Sequence, residues 1–137
     1  MLKRDYIEKQ LEQLALAIAK VISQLTNAGS VKPDAGIIIA NDFLKTEFDI
    51  DLAKLAVMDN EYVIEHLTKN KHLNPRKLSL LADLLFETAQ LHERSGNKSL
   101  AAELYRKTLT IYNHVNETER TFSQTRQERI IILKSKI

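Results

Sequence analysis

The chain contains no cysteine and no tryptophan, only three glycines and two prolines, and no apolar run of membrane-spanning length. Without cysteine there are no disulfide staples, thiolate metal sites or cysteine nucleophile, so a packed apolar core has to hold the fold alone. So little glycine and proline leaves few places where helical hydrogen bonding is interrupted. No strands are expected. With no run of about 18 apolar residues, nothing is a candidate to span a membrane. The opening residues Met1, Leu2, Lys3, Arg4 and Asp5 lead into a charged helical pattern instead of an apolar signal region, so the expected location is cytoplasmic. Aromatic residues number eight, and none alternates with Arg or Lys as a base-stacking surface requires.

Charge of one sign is also scarce overall, at a formal net of +2, but it is unevenly placed. Residues 34–65 hold eight acids against Lys45 and Lys54, a net of −6. Residues 120–137 hold Arg120, Arg126, Arg129, Lys134 and Lys136 against Glu128, a net of +4. Two solvated faces attracting each other weakly account for this. The alternative is that the basic C-terminal segment touches nucleic acid or an acidic ligand.

A length of 137 residues suits one domain, residues 1–137, with a single core. Ile7, Leu11, Leu14, Ile18, Ile22 and Leu25 recur at spacings of three and four, predicting one long helix over residues 3–25, with a break at Asn27, Ala28, Gly29 and Ser30. Pro33 and Asp34 suit the first turn of a second helix, residues 33–46. Asp49 and Asp51 read as caps ahead of Leu52 and Leu55, and Asp59 as the cap of a short helix that turns Tyr62, Val63, His66 and Leu67 inward. Asn74 followed by Pro75 is the strongest helix start in the chain. From there Leu78, Leu81, Ala82, Leu85 and Ala89 form one face and Leu80, Leu84 and Leu91 another, marking a central helix buried on two sides. After Ser95, Gly96 and Asn97 the periodicity resumes through Tyr112 to about Val115, so residues 74–115 form an antiparallel hairpin. A polar break over residues 116–121 precedes a last helix with Phe122, Arg126, Ile130, Leu133 and Ile137 on one face, widened by Ile131 and Ile132.

Around its turn the hairpin resembles a tetratricopeptide repeat. Ala89 supplies the small residue seven before Gly96, Ala101 the small position of the second helix, Tyr105 the wedged aromatic and Thr108 the last small site. Leu85 and His92 stand where the motif carries aromatics, and no proline closes the unit near Asn113. The chain is also similar to a family of uncharacterised bacterial proteins, through Asp5, Tyr6 and Ile7, the run from Ala17 to Lys20, and Leu73, Asn74 and Pro75. The resemblance implies an all-α fold of about six to seven helices in right-handed antiparallel hairpins, with one tetratricopeptide-like unit flanked by non-repeat helices. No activity comes with it.

No catalytic, cofactor or metal constellation is readable. His66, His72, His92 and His114 lack the spacing that puts two ligands on one helical face, and His92 occupies a packing position. Gly29, Gly36 and Gly96 are too scattered to cradle a phosphate, and there is no nucleophile elbow. The expectation is a non-enzymatic interaction or scaffolding domain for a protein or peptide partner, with a homodimer as one form and without membrane or cofactor. The resemblance places its partner-binding face on the first hairpin helix, at Asp83, Phe86, Gln90 and Glu93. These residues serve a partner only if neither terminal helix covers them.

Overall fold

The computed structural model describes residues 2–137, with side chains for residues 4–27 and 32–137. Among the described residues seven helices follow in order: α1 (Leu2–Val31), α2 (Pro33–Phe48), α3 (Leu52–Val57), α4 (Asn60–Glu65), α5 (Pro75–Arg94), α6 (Lys98–Thr118) and α7 (Gln124–Lys136). A π-helical turn, His66–Asn70, continues α4. No strand occurs among the described residues, and no described helix is long and apolar enough to cross a membrane.

α1 does not stop at Gly29 but runs on to Val31. A helical glycine costs only about 1 kcal/mol, whereas proline forces the residue before it out of helical geometry. The break accordingly falls at Lys32, which is extended (φ −139°, ψ 97°) immediately before Pro33. α2 then doubles back, with Gly36, Ala40, Leu44 and Phe48 buried four residues apart. The two small residues let it approach closely, so the Ile37, Ile38, Ile39 run is helical despite its β-branching. Asp49 is not an N-cap. It ends α2 in a left-handed conformation (φ 54°), its amide donating to Leu44 O. Asp51 is the cap of α3, accepting from the amides of Ala53 and Lys54 at 3.0 and 3.3 Å. Asp59 holds the cap position of α4 without a side-chain hydrogen bond. Val63 and Leu67 face inward, whereas Tyr62 is 58% exposed and His66 bonds Asn70 at 3.1 Å on the surface.

α5 begins at Pro75, where Asn74 Oδ1 accepts from the Lys77 amide at 2.9 Å. It is the central helix. Leu78, Leu81, Leu84, Leu85 and Ala89 are fully buried, and its neighbours are α6 on one side and α1 and α2 on another. The turn to α6 uses Gly96 at φ 91°, a conformation glycine adopts at little cost, and Asn97 Oδ1 caps α6 by accepting from Leu100 N at 3.4 Å. α3 and α4 lie on α6, and α7 runs along α6 from Asn116 to Tyr105. One core cluster joins these elements, from Ile18 of α1 to Leu133 of α7. At the amino end, residues 4–10 of α1 are all exposed, Ile7 included, because the body beneath the helix ends short of them.

Candidate functional site

α7 decides what the α5 face can do. It packs on α6 with Arg126, Ile130 and Leu133 buried, and it reaches α5 through the ends of long cationic side chains. Ser123 starts it, its hydroxyl accepting from the Arg126 amide at 3.2 Å. Arg129 reaches α5, donating to Asp83 Oδ1 at 2.8 Å with Glu87 Oε1 at 3.8 Å. It also donates to the Tyr112 hydroxyl at 3.2 Å and stands 5.2 Å above the centre of the Phe86 ring. Seven residues on, Lys136 donates to Glu93 at 2.8 Å and lies 5.9 Å from the centre of the Tyr105 ring. Because Asp83 pairs with Arg129 and Glu93 with Lys136, α7 runs parallel to α5.

Asp83, Phe86 and Glu93 therefore lie beneath α7 and not on an open face. Phe86 is 5% exposed, edge-on to Tyr105 at 6.4 Å between centroids. Gln90 stays half-buried and lines a shallow cleft of about 270 Å³ with Glu93, Arg94, Tyr105 and Lys136. The C-terminal helix is what covers the hairpin; α1 packs elsewhere on α5. Sequence reasoning did not pick out Glu87, Tyr112, Arg129 and Lys136 as members of this site. The signal that could have found them is the seven-residue spacing of Arg129 and Lys136 opposite acids on α5.

The electrostatics follow from partial burial. Burial pushes the Asp83 carboxyl above its ordinary range, against the pull of the Tyr112 hydroxyl, which donates to it at 2.6 Å, and of Arg129. Burial likewise raises Glu87, with Arg129 opposing. Burial works against the Arg129 cation, but Tyr112, Asp83 and Glu87 outweigh it and hold the charge. Glu93 moves the other way: Lys136 and then the Tyr105 hydroxyl, donating at 2.7 Å, favour its ionised form. Burial raises both Tyr112 and Tyr105 well above the ordinary phenol range, so each stays a hydrogen-bond donor. This arrangement binds a cationic side chain at two places ten residues apart along α5. It presents no nucleophile beside a base.

Three of the five bases in the C-terminal segment are thus engaged within the chain: Arg129, Lys136, and Arg126, whose Nε donates to Asn116 Oδ1 at 2.6 Å and whose Nη2 donates to Thr121 O at 3.0 Å. A nucleic-acid role for the basic tail loses those charges. The acids that meet this tail belong to α5, not to the acidic stretch of residues 34–65.

A second concavity, about 670 Å³, lies between the end of α2, α3 and the π-helical turn, over a floor that includes Ile50, Leu55 and Met58. Lys45, Lys54, Lys71 and His66 share it with Asp42, Asp49 and Asp51, so it has no dominant sign. Among the described residues no group of three or more His, Asp or Glu side chains could hold a metal. His92, 6% exposed, has a buried Nε2 without a partner, and burial lowers its proton affinity. No family model, curated protein or solved structure matches this chain.

Proposed function

We propose that this chain is a non-enzymatic protein-interaction domain whose working surface is the acidic, aromatic-floored face of α5 and whose ligand is a basic amphipathic helix. The observation that carries this reading is the seating of α7 itself. A helix with Arg129 and Lys136 on one side already lies along α5, its cations on Asp83, Glu87 and Glu93 and over Phe86 and Tyr105. The contacts are of the helix-in-groove kind, in which a few apolar anchors, here Ile130 and Leu133, are framed by charge pairs. The tetratricopeptide-like spacing of Ala89, Gly96, Ala101 and Tyr105 supports the same class, since those residues pack the hairpin and leave its outer face for contacts.

The test is binding of a labelled peptide with the sequence of residues 120–137 to the full chain carrying Arg129→Glu, which weakens the resident helix. Saturable binding is the expected result, falling at least tenfold when Asp83→Asn is added and declining with salt as exposed charge pairs do. No binding at a peptide concentration of about 1 mM, where a tethered helix would be matched, refutes the reading.

A further inference from the structure

We infer that α7 is an exchangeable arm: the face of α5 that holds it accepts the α7 of a second copy of this chain, giving a dimer in which the two arms are swapped. This deepens the proposed function, resting on the α5 face as a helix-binding surface, and commits it to one partner.

The first support is the connection. Residues 119–123 (Glu119, Arg120, Thr121, Phe122, Ser123) contain neither proline nor glycine, so no residue there forbids helix. Glu119 still donates its amide to Val115 O at 2.8 Å, and only then does the chain become extended, at Glu119 (φ −106°, ψ 131°) and Ser123 (φ −124°, ψ 114°). The bend is held by side-chain bonds, from the Arg126 guanidinium to Asn116 and Thr121 O and at the Ser123 cap. When those bonds are released, the sequence permits α6 and α7 to continue as one helix that carries the arm away from its own body.

The second support is Phe122. It is 75% exposed, a large aromatic in an otherwise polar connection. In an exchanged dimer the two connections run past one another, and Phe122 of each copy gains a partner. The third support is complementarity. Every contact of α7 with α5 is matched in kind by the α7 of an identical chain, which is why exchange of an element costs little once the hinge opens.

In the wild-type chain the tethered arm competes at an effective concentration on the order of mM, so exchange is read with a pair of charge-reversed full-length chains, Asp83→Arg and Arg129→Asp. Alone, each places like charges together whether its arm is closed or exchanged, and light scattering should give a mass of 15.7 kDa. Mixed in equal amounts, the exchanged heterodimer has opposite charges at both docked arms, so the mass should double. The single chain carrying both reversals should melt above either single reversal, showing that the pair tolerates the reversed order, and below the wild type, because the carboxylate introduced at position 129 faces Glu87 and the Phe86 ring. A mixture that stays at 15.7 kDa overturns the exchange. Should a single variant precipitate, the two are refolded together from denaturant: a soluble one-to-one complex supports exchange, and continued precipitation overturns it. If the mixture is monomeric while the peptide of residues 120–137 still binds the Arg129→Glu chain, exchange falls and the interaction reading stands; if neither occurs, both fall.

Discussion

Replacing Arg129 with alanine tests how far charge, beside the apolar anchors Ile130 and Leu133, keeps α7 on α5. The side chain is 21% exposed, and its loss removes a hydrogen bond to Asp83 at 2.8 Å, the 3.8 Å pairing with Glu87 and the contact with the Phe86 ring. Deleting one partner of a fully buried pair costs about 3–5 kcal/mol, and an exposed pair is worth about 0–1 kcal/mol. One-fifth exposure places Arg129→Ala between these, at about 2–3 kcal/mol, of which the ring contact supplies roughly 0.5–1 kcal/mol. For a chain of this length that corresponds to a fall in Tm of roughly 6–9 °C. If α7 opens before the rest unfolds, the loss appears first as faster hydrogen exchange in the amides of α7, by roughly 30- to 150-fold.

The pH dependence sharpens this test. Asp83 and Glu87 have folded pKa values raised above the ordinary 3.8 and 4.5, so their contribution to stability is full at low pH and is lost as pH rises through the window above those values. Removing Arg129 takes away a cation that opposes that rise, so the variant should lose more across the same window. Its deficit against the wild type should therefore be largest near pH 7 and shrink toward about pH 4, where both carboxyls bind protons in either chain. Arg129→Lys keeps the charge without the fork and should recover part of the loss. A Tm within about 1 °C of wild type and unchanged exchange in α7 would show that Ile130 and Leu133 hold the helix unaided.

Three further outcomes are expected. His92, whose proton affinity is lowered from the ordinary 6.5 by burial, binds fewer protons folded than unfolded, so stability is full above that value and falls as pH drops below it; His92→Leu should flatten this acid loss between about pH 7.5 and 5.5 in thermal melts. Gly96→Ala should cost about 1–2 kcal/mol in denaturant unfolding, from backbone strain alone, since an added Cβ at φ 91° meets no atom within 4 Å. Asn74→Ala should cost about 1 kcal/mol by losing the bond to the Lys77 amide, and Asn74→Asp should restore most of it.

Much of the helical framework was legible because it rests on local rules. The spacing of Leu78, Leu81, Leu85 and Ala89, the Asn74 cap and the Gly96 turn each specify their element within a few residues, and α5 begins and ends where that pattern places it. The errors arise where two local signals compete. Gly29 signalled a break that Pro33, the costlier residue to keep helical, set instead at Lys32. Asp49 resembled a helix start but closes the helix before it, because an aspartate tolerates the left-handed conformation nearly as an asparagine does. That a terminal helix covers Asp83, Phe86 and Glu93 was legible only as one of two alternatives, and the sequence does not decide between α1 and α7 as that helix. The seven-residue spacing of Arg129 and Lys136 fits acids on α5 but does not by itself choose them over the stretch of residues 34–65, which is richer in acids.

That stretch was passed over for a reason of geometry. The α5 acids stand at Asp83, Glu87 and Glu93, close to one helical stripe, and two of them carry neighbouring hydroxyls, from Tyr112 and Tyr105, that donate to them. A carboxylate already oriented by a phenol loses less freedom when a guanidinium arrives than one swinging in solvent does, and the Phe86 ring gives the cation a face to lie on. Asp42, Asp49 and Asp51 instead share their cleft with lysines, and Asp51 is committed to the α3 cap. Preorganisation, not the number of charges, therefore selects the partner of α7. The same preorganised face would greet any incoming helix with Arg and Lys seven residues apart, which makes the α7 of a second copy a fitting occupant.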